Sequence, residues 1–165
     1  MTSLDSISVL RINSESQPNV ARLDRLELDR LQSLSPHHLI AESTQAGVVA
    51  YLLAFADDAD YDGEEFLKFR NSVTAPFLYI DQVAVTSQAK GNGIGAALYR
   101  DVEQLADERG IGSLCCEINI FPPNSDSIAF HRKMGFRAVR RLDTLDGRAV
   151  ELYAKGIKPC SNNPV

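Results

Sequence analysis

Ile7 to Ile12 reads Ile-Ser-Val-Leu-Arg-Ile, with apolar positions alternating with polar or charged ones apart from one irregularity, and predicts a first β-strand. Beyond Pro18, residues Val20, Leu23, Leu26, Leu28 and Leu31 recur at roughly helical spacing, which predicts a helix over 18–32 that Pro36 closes. His38 to Glu42 and the long apolar run Val48 to Ala56 flank Gln45-Ala46-Gly47 and read as a hairpin. Asp57 to Gly63 is an acidic loop, Glu64 to Phe69 a short helix, and Phe77 to Val85 a β-prone strand interrupted mainly by Asp81 and Gln82.

Thr86 to Gly95 is polar and glycine-rich. Ala96, Leu98, Val102, Leu105 and Ala106 then mark an amphipathic helix that ends at Gly110. Leu114 to Ile120 is a strand broken by Phe121-Pro122-Pro123. Asn124 or Ser125 caps a helix running to about Met134, ahead of Gly135. Strands over 136–143 and 148–155 flank an Asp146-Gly147 turn. The expected order is therefore β-α-β-β-α-β-α-β-α-β-β, an α/β fold in one domain over 1–157, with a frayed tail over 158–165.

Composition adds exclusions. The chain of 165 residues carries a net charge of −5, which argues against nucleic acid as a partner and suits a cationic substrate. No apolar run approaches the roughly 20 residues that span a bilayer, and no signal peptide is visible, so a cytoplasmic protein without membrane contact is expected. Cys115, Cys116 and Cys160 show no metal-ligand spacing, and neighbouring strand residues point to opposite faces, so buried free thiols and no metal are expected.

The chemistry concentrates in Lys90-Gly91-Asn92-Gly93-Ile94-Gly95-Ala96, which follows a strand and opens a helix. Free N–H groups at a helix N-terminus and the positive end of its dipole bind anions, and glycine lets a phosphate approach the backbone. A Walker A loop is excluded because no Gly-Lys-Ser/Thr follows. Gly91-x-Gly93-x-x-Ala96 also fits the dinucleotide fingerprint, with Glu117 about 20 residues on. The polar approach from Thr86 to Lys90 and the closing hairpin leave no second βαβ half for that reading.

Three stretches in this order and spacing resemble the GNAT superfamily of acetyltransferases: Tyr79-Ile80-Asp81-Gln82-Val83-Ala84-Val85, Lys90-Gly91-Asn92-Gly93-Ile94-Gly95, and Asn124 leading to His131-Arg132-Lys133-Met134-Gly135-Phe136. The Cys116–Asn124 run resembles a bacterial subgroup of that superfamily. The resemblance implies a mixed, mostly antiparallel central sheet with helices on both faces and two central parallel strands splayed to hold acetyl-CoA. It implies an acyltransferase that moves the acetyl group to a small-molecule or peptide primary amine by direct attack. The alternative is an acyl-CoA-binding sensor without catalysis, and a homodimer is common in the family.

On this resemblance the backbone around Val83, Ala84 and Val85 pairs with the pantetheine arm, and the Val83 N–H faces the oxyanion. Lys90, Gly91, Asn92, Gly93, Ile94, Gly95 and Ala96 hold the pyrophosphate, Lys90 standing where the family has Gln or Arg. Asn124, Ser127, Phe130, His131 and Lys133 line the cofactor from the following helix. His131 stands at the position of the family's tyrosine acid; a histidine is able to protonate a thiolate near neutral pH, and a packing role is the competing reading, with Tyr99 or Tyr153 as substitutes. Asp81 and Glu117 are candidate bases or ammonium ligands, since a carboxylate within an apolar strand is costly unless paired or used. The acidic run Asp57, Asp58, Asp60, Asp62, Glu64 and Glu65 reads as a solvated loop or as a lid for a cationic amine, with Tyr61 and Phe66 lining the acceptor pocket.

Overall fold

The structure is a computed structural model that describes residues 3–73 and 76–157. Helices α1 (Ser3–Glu15) and α2 (Arg25–Leu34) precede strands β1 (Leu39–Ser43) and β2 (Gly47–Ala56). Helix α3 (Glu64–Arg70), strand β3 (Phe77–Val85) and helix α4 (Ile94–Glu108) follow. Strand β4 (Ser113–Phe121), helix α5 (Ser125–Lys133) and strands β5 (Arg137–Asp143) and β6 (Ala149–Gly156) complete the order. The six strands form one sheet in the order β1-β2-β3-β4-β6-β5. Among the described residues only β3 and β4 run parallel; the other strand pairs are antiparallel. The mixed sheet with helices on both faces is as expected.

Residues 7–12, expected as a strand, lie inside α1. The burial explains why: Ser6, Val9 and Asn13 face inward with Ile12, a helical spacing, while Ile7 is 62% exposed. An alternating strand would have placed Ile7 and Val9 on the same side. The second helix begins at Arg25 rather than at 18, where Asp24 accepts a hydrogen bond from the Glu27 N–H and caps it. Asn13 is the polar hub of this region. Its amide donates to the Ala21 carbonyl and to the Tyr51 and Gln82 side chains, and its oxygen accepts from the Leu23 N–H.

The sheet separates two cores. On one face Val9 and Ile12 of α1, Leu28 and Leu31 of α2 and Phe66 and Phe69 of α3 pack on Tyr51, Phe55, Phe77, Tyr79 and Cys115. On the other, Leu98, Tyr99, Val102 and Ala106 of α4 pack on Leu52, Leu78, Ile80, Leu114 and Cys116. Both strand cysteines are buried free thiols, one in each core, and Cys160 lies outside the described residues. Burial pushes the Cys115 thiol up to about 12, so it stays protonated. No helix among the described residues is long and apolar enough to cross a membrane.

The α1 assignment has a direct consequence. Ile7→Glu changes the unfolding free energy by less than about 0.5 kcal/mol, as an exposed substitution does, whereas Ile12→Ala costs about 2–5 kcal/mol. Urea titration of both variants checks the contrast; equal costs would return the segment to a strand.

Candidate functional site

The parallel ladder between β3 and β4 is short. Phe77 pairs with Ser113, and the pairing ends at Ile80 with Cys116. Beyond that point β3 continues to Val85 on β2, and β4 continues to Phe121 on β6, with no pairing between them. The separation starts at a bulge. Leu53 pairs with Gln82 and Ala54 with Ile80, so Asp81 has no partner on β2. Past the bulge, the Thr86 N–H donates to the Val49 carbonyl. Backbone groups alternate sides along a strand, so Ala84 also faces β2, and the N–H and C=O of Val83 and Val85 face the opened side.

At the far end of β3 the chain makes a short 3₁₀ turn over Ser87–Ala89 and enters the glycine loop. Gly91 and Gly93 have φ of +80° and +78°, which side chains with a Cβ resist, and a Cβ on either would meet nothing within 4 Å. Gly93 is the N-cap of α4 without a side-chain cap, and the first intrahelical bond runs from the Ala97 N–H to the Gly93 carbonyl. The amides of Ile94, Gly95 and Ala96 are thus left without helical acceptors at the positive end of the dipole. Gly95 lies against Phe130 of α5 and Val85 of β3, where a Cβ would stand 3.5 Å from the Phe130 ring. Lys90 and Asn92 are exposed beside the loop. These features suit a phosphate-bearing group with an extended arm along the gap: open space over the glycines, free amides, a point charge and an unpaired strand side.

Asp81 and Glu117 flank the start of the gap, both half-buried on the face of α1 to α3. The Tyr61 hydroxyl donates to Asp81 Oδ1 at 2.6 Å, and the Tyr79 hydroxyl donates to Glu117 Oε2 at 2.5 Å. Burial holds both carboxyls above the usual carboxylate range, with the Glu65 charge adding to both and the Asp81 charge adding to Glu117. The tyrosine hydroxyls partly offset that rise by hydrogen bonding to the ionised forms. Burial first, and the adjacent carboxylates second, push the Tyr61 and Tyr79 phenols upward, so both remain donors.

His131 lies across the sheet from these carboxyls, 3% exposed, in a box of Tyr99, Phe130 and Phe136. Its Nδ1–H donates to the Ser127 carbonyl at 2.8 Å, and its Nε2 is 2.5 Å from the Tyr99 hydroxyl, which leaves Nε2 as the acceptor. Burial lowers its pKa, so the ring is neutral with both nitrogens engaged. Ser127 stands in the first turn of α5, where its N–H donates to the Asn124 cap, and Lys133 is exposed at the C-terminal end. Tyr153 donates to Glu151, and Phe66 is fully buried in the core rather than lining a pocket.

Sequence reasoning did not single out Tyr79, Asn119 or Arg148. Arg148, at the start of the β6 side of the last hairpin, donates to Glu65 Oε1 at 3.0 Å, Asn119 Oδ1 at 3.1 Å and Asp146 Oδ2 at 2.7 Å. Only the topology brings β6, α3 and β4 to one place; no local pattern signals the contact.

A model of the acetyltransferase (GNAT) family matches residues 7–136. No curated protein sequence matches the chain. Among solved structures, Ard1 from Thermoplasma volcanium is 18% identical with a TM-score of 0.77, over 96% of this chain and 95% of that one. Arabidopsis thaliana Naa50 in complex with the bisubstrate analogue CoA-Ac-MVNAL is 16% identical with a TM-score of 0.70, over 94% of each chain. The ribosomal-protein-alanine N-acetyltransferase from Brucella melitensis is 24% identical with a TM-score of 0.67, over 94% of this chain and 96% of that one.

The raised carboxyls make stability depend on pH in a defined sense. A carboxyl that holds its proton more tightly when folded contributes stability that is complete below its unfolded value, 4.5 for a glutamate, and lost as pH rises through its folded value. Glu117→Gln, which keeps the acceptor for Tyr79, is therefore expected to be more stable than the parent at about pH 9, by on the order of 1 kcal/mol, and equal to it at about pH 4. Denaturant titration at the two pH values checks this; a variant less stable at both would show that Glu117 is held as an anion.

Proposed function

We propose, from the premise that the chain belongs to the acetyltransferase (GNAT) family, that it transfers the acetyl group of acetyl-CoA to a primary amine with Glu117 as the base. The observation that carries this reading is the placement of two part-buried carboxyls, each held by a tyrosine hydroxyl, where β3 and β4 part, with the glycine loop at the other end of the same gap. When bound, acetyl-CoA supplies an activated acetyl thioester.

The chain's own residues divide the remaining work. The Ile94, Gly95 and Ala96 amides and Lys90 hold phosphate charge, with Gly91, Asn92 and Gly93 shaping the approach. Val83 and Val85 offer strand-like hydrogen bonds along the gap, Ala84 anchors β3 to β2, and the Val83 N–H is the donor for negative charge developing on the acyl oxygen. Glu117 takes a proton from the acceptor ammonium, and Asp81 keeps the Glu117 pKa raised while offering the ammonium a second carboxylate. Asn124, Ser127 and Phe130 set α5 against the glycine loop, and Lys133 adds exposed positive charge on that helix. His131 acts as a positioning residue that fixes the Tyr99 phenol on the α4 side, where that phenol would be the proton donor to the coenzyme sulfur. The engagement of both His131 nitrogens also favours a second reading, an acyl-CoA sensor that binds without turnover.

Calorimetric titration with acetyl-CoA, followed by thiol release with a panel of amines, separates these readings. Gly93→Val is expected to weaken acetyl-CoA binding at least about tenfold while the protein stays folded, because the new side chain is strained at positive φ and obstructs the phosphate approach. Glu117→Gln is expected to bind acetyl-CoA normally and lose about 10²- to 10⁴-fold in kcat. The acid limb of the parent's kcat/KM profile should lie above the usual carboxylate range. Undiminished turnover by Glu117→Gln would remove Glu117 from the chemistry, and binding without turnover of any amine would establish the sensor.

A further inference from the structure

β2 and β3 are antiparallel neighbours paired up to Ala56 with Leu78, and such a pair is ordinarily closed by a loop of about 2–5 residues. Here the chain leaves β2 at Ala56 on a much longer excursion that carries α3, and this excursion lies over the face that bears Asp81 and Glu117. Its near side is anchored on the sheet. Tyr61 stacks on Phe55 at 4.2 Å and reaches Asp81, and Phe66 and Phe69 lie on Phe77 and Tyr79.

Its far side is tied to the last hairpin. The Leu145 N–H donates to Glu64 Oε2 at 3.1 Å, and Arg148 joins Glu65 of α3 to Asn119 of β4. Glu65 is 8% exposed while the Arg148 side chain is 35% exposed, so the ion pair is shielded from water on the Glu65 side. The covering thus runs from β2, over the two strands that hold the carboxyls, to the turn between β5 and β6.

We infer that the acceptor is a compact small-molecule amine, and that the Glu65–Arg148 tie is the device that keeps polypeptide N-termini out. The inference rests on the acetyl-transfer reading above. An amine at the end of a polypeptide must bring the following residues with it, each about 3.3 Å of extended chain with its own side chain. That chain needs an open trench beside the carboxyls, and there β3 is covered by Tyr61 and by Phe66 and Phe69 of α3, while Arg148 ties α3 to β4 and the hairpin. A small amine carries nothing that the covering excludes. Arg148 is on this account a specificity residue and not a catalytic one.

The test uses the full chain with acetyl-CoA and measures thiol release. One acceptor set contains small amines (propane-1,3-diamine, an amino-acid amide, an amino sugar), and the other contains octapeptides with free N-termini. The parent is expected to favour its best small amine over every peptide by at least about tenfold in kcat/KM. Arg148→Ala and Glu65→Gln, each verified as folded by thermal melting, should both lower that ratio at least about tenfold, chiefly through a lower KM for peptides. A parent that prefers peptides overturns the inference whatever the variants do, as does a ratio unmoved in two folded variants. A parent that binds acetyl-CoA and acetylates neither set defeats the transferase reading itself, an outcome distinct from a preference for peptides.

Discussion

The functional architecture depends on one interruption of hydrogen bonding, the end of the β3–β4 ladder at Ile80 and Cys116. Parallel strands with no further pairing leave main-chain donors and acceptors that must find other partners. On the outer side, β2 and β6 each continue to satisfy their neighbour. On the inner side, Val83 and Val85 face the gap. The bulge at Asp81 does two things at once. It changes the phase of β3, so that the backbone of these two valines faces the opened side, and it places a carboxylate at the point where the opening begins. An extended ligand arm laid along β3 would complete the hydrogen bonding that the sheet gives up.

The same interruption explains how two carboxyls persist inside an apolar sheet. Each loses hydration, Glu117 feels the Asp81 charge and both feel Glu65, all of which disfavour the ionised forms. Tyr61 and Tyr79 each bring a hydroxyl that donates to one of them. Burial raises the proton affinity of both carboxyls, and the Asp81 charge raises that of Glu117 further. Structural burial and chemical function therefore make the same demand on these side chains.

Local patterns carried most of the central region. β3, α4, β4 and α5 follow from alternation, from an amphipathic stripe and from glycines at positive φ, and each of these is a short-range property of the chain. The glycine loop was legible for the same reason, since Gly91 and Gly93 need a conformation that little else adopts. Residues 7–12 were misread because an exposed Ile7 imitates alternation, and the buried face of α1 includes Ser6 and Asn13, polar residues whose partners come from Ala21, Leu23, Tyr51 and Gln82. His131 was recognisable as a residue but not in its engagement, because its partner Tyr99 comes from another helix. Arg148 and Glu65 are 83 positions apart, and nothing in the neighbourhood of either announces the other.

The arrangement divides the molecule by face. The α4 and α5 side carries the glycine loop, the Gly95–Phe130 contact and the Tyr99–His131 pair; the α1 to α3 side carries the carboxyls and their covering. A donor and an acceptor approaching from opposite faces meet only where the sheet is open, and the sheet is open only past Ile80 and Cys116. An unbroken six-stranded sheet would keep the two apart by the thickness of its backbone. On the proposed reading, the parting of the strands is a requirement of a direct transfer between two bound partners, and the coverings on either face then decide which partners reach it.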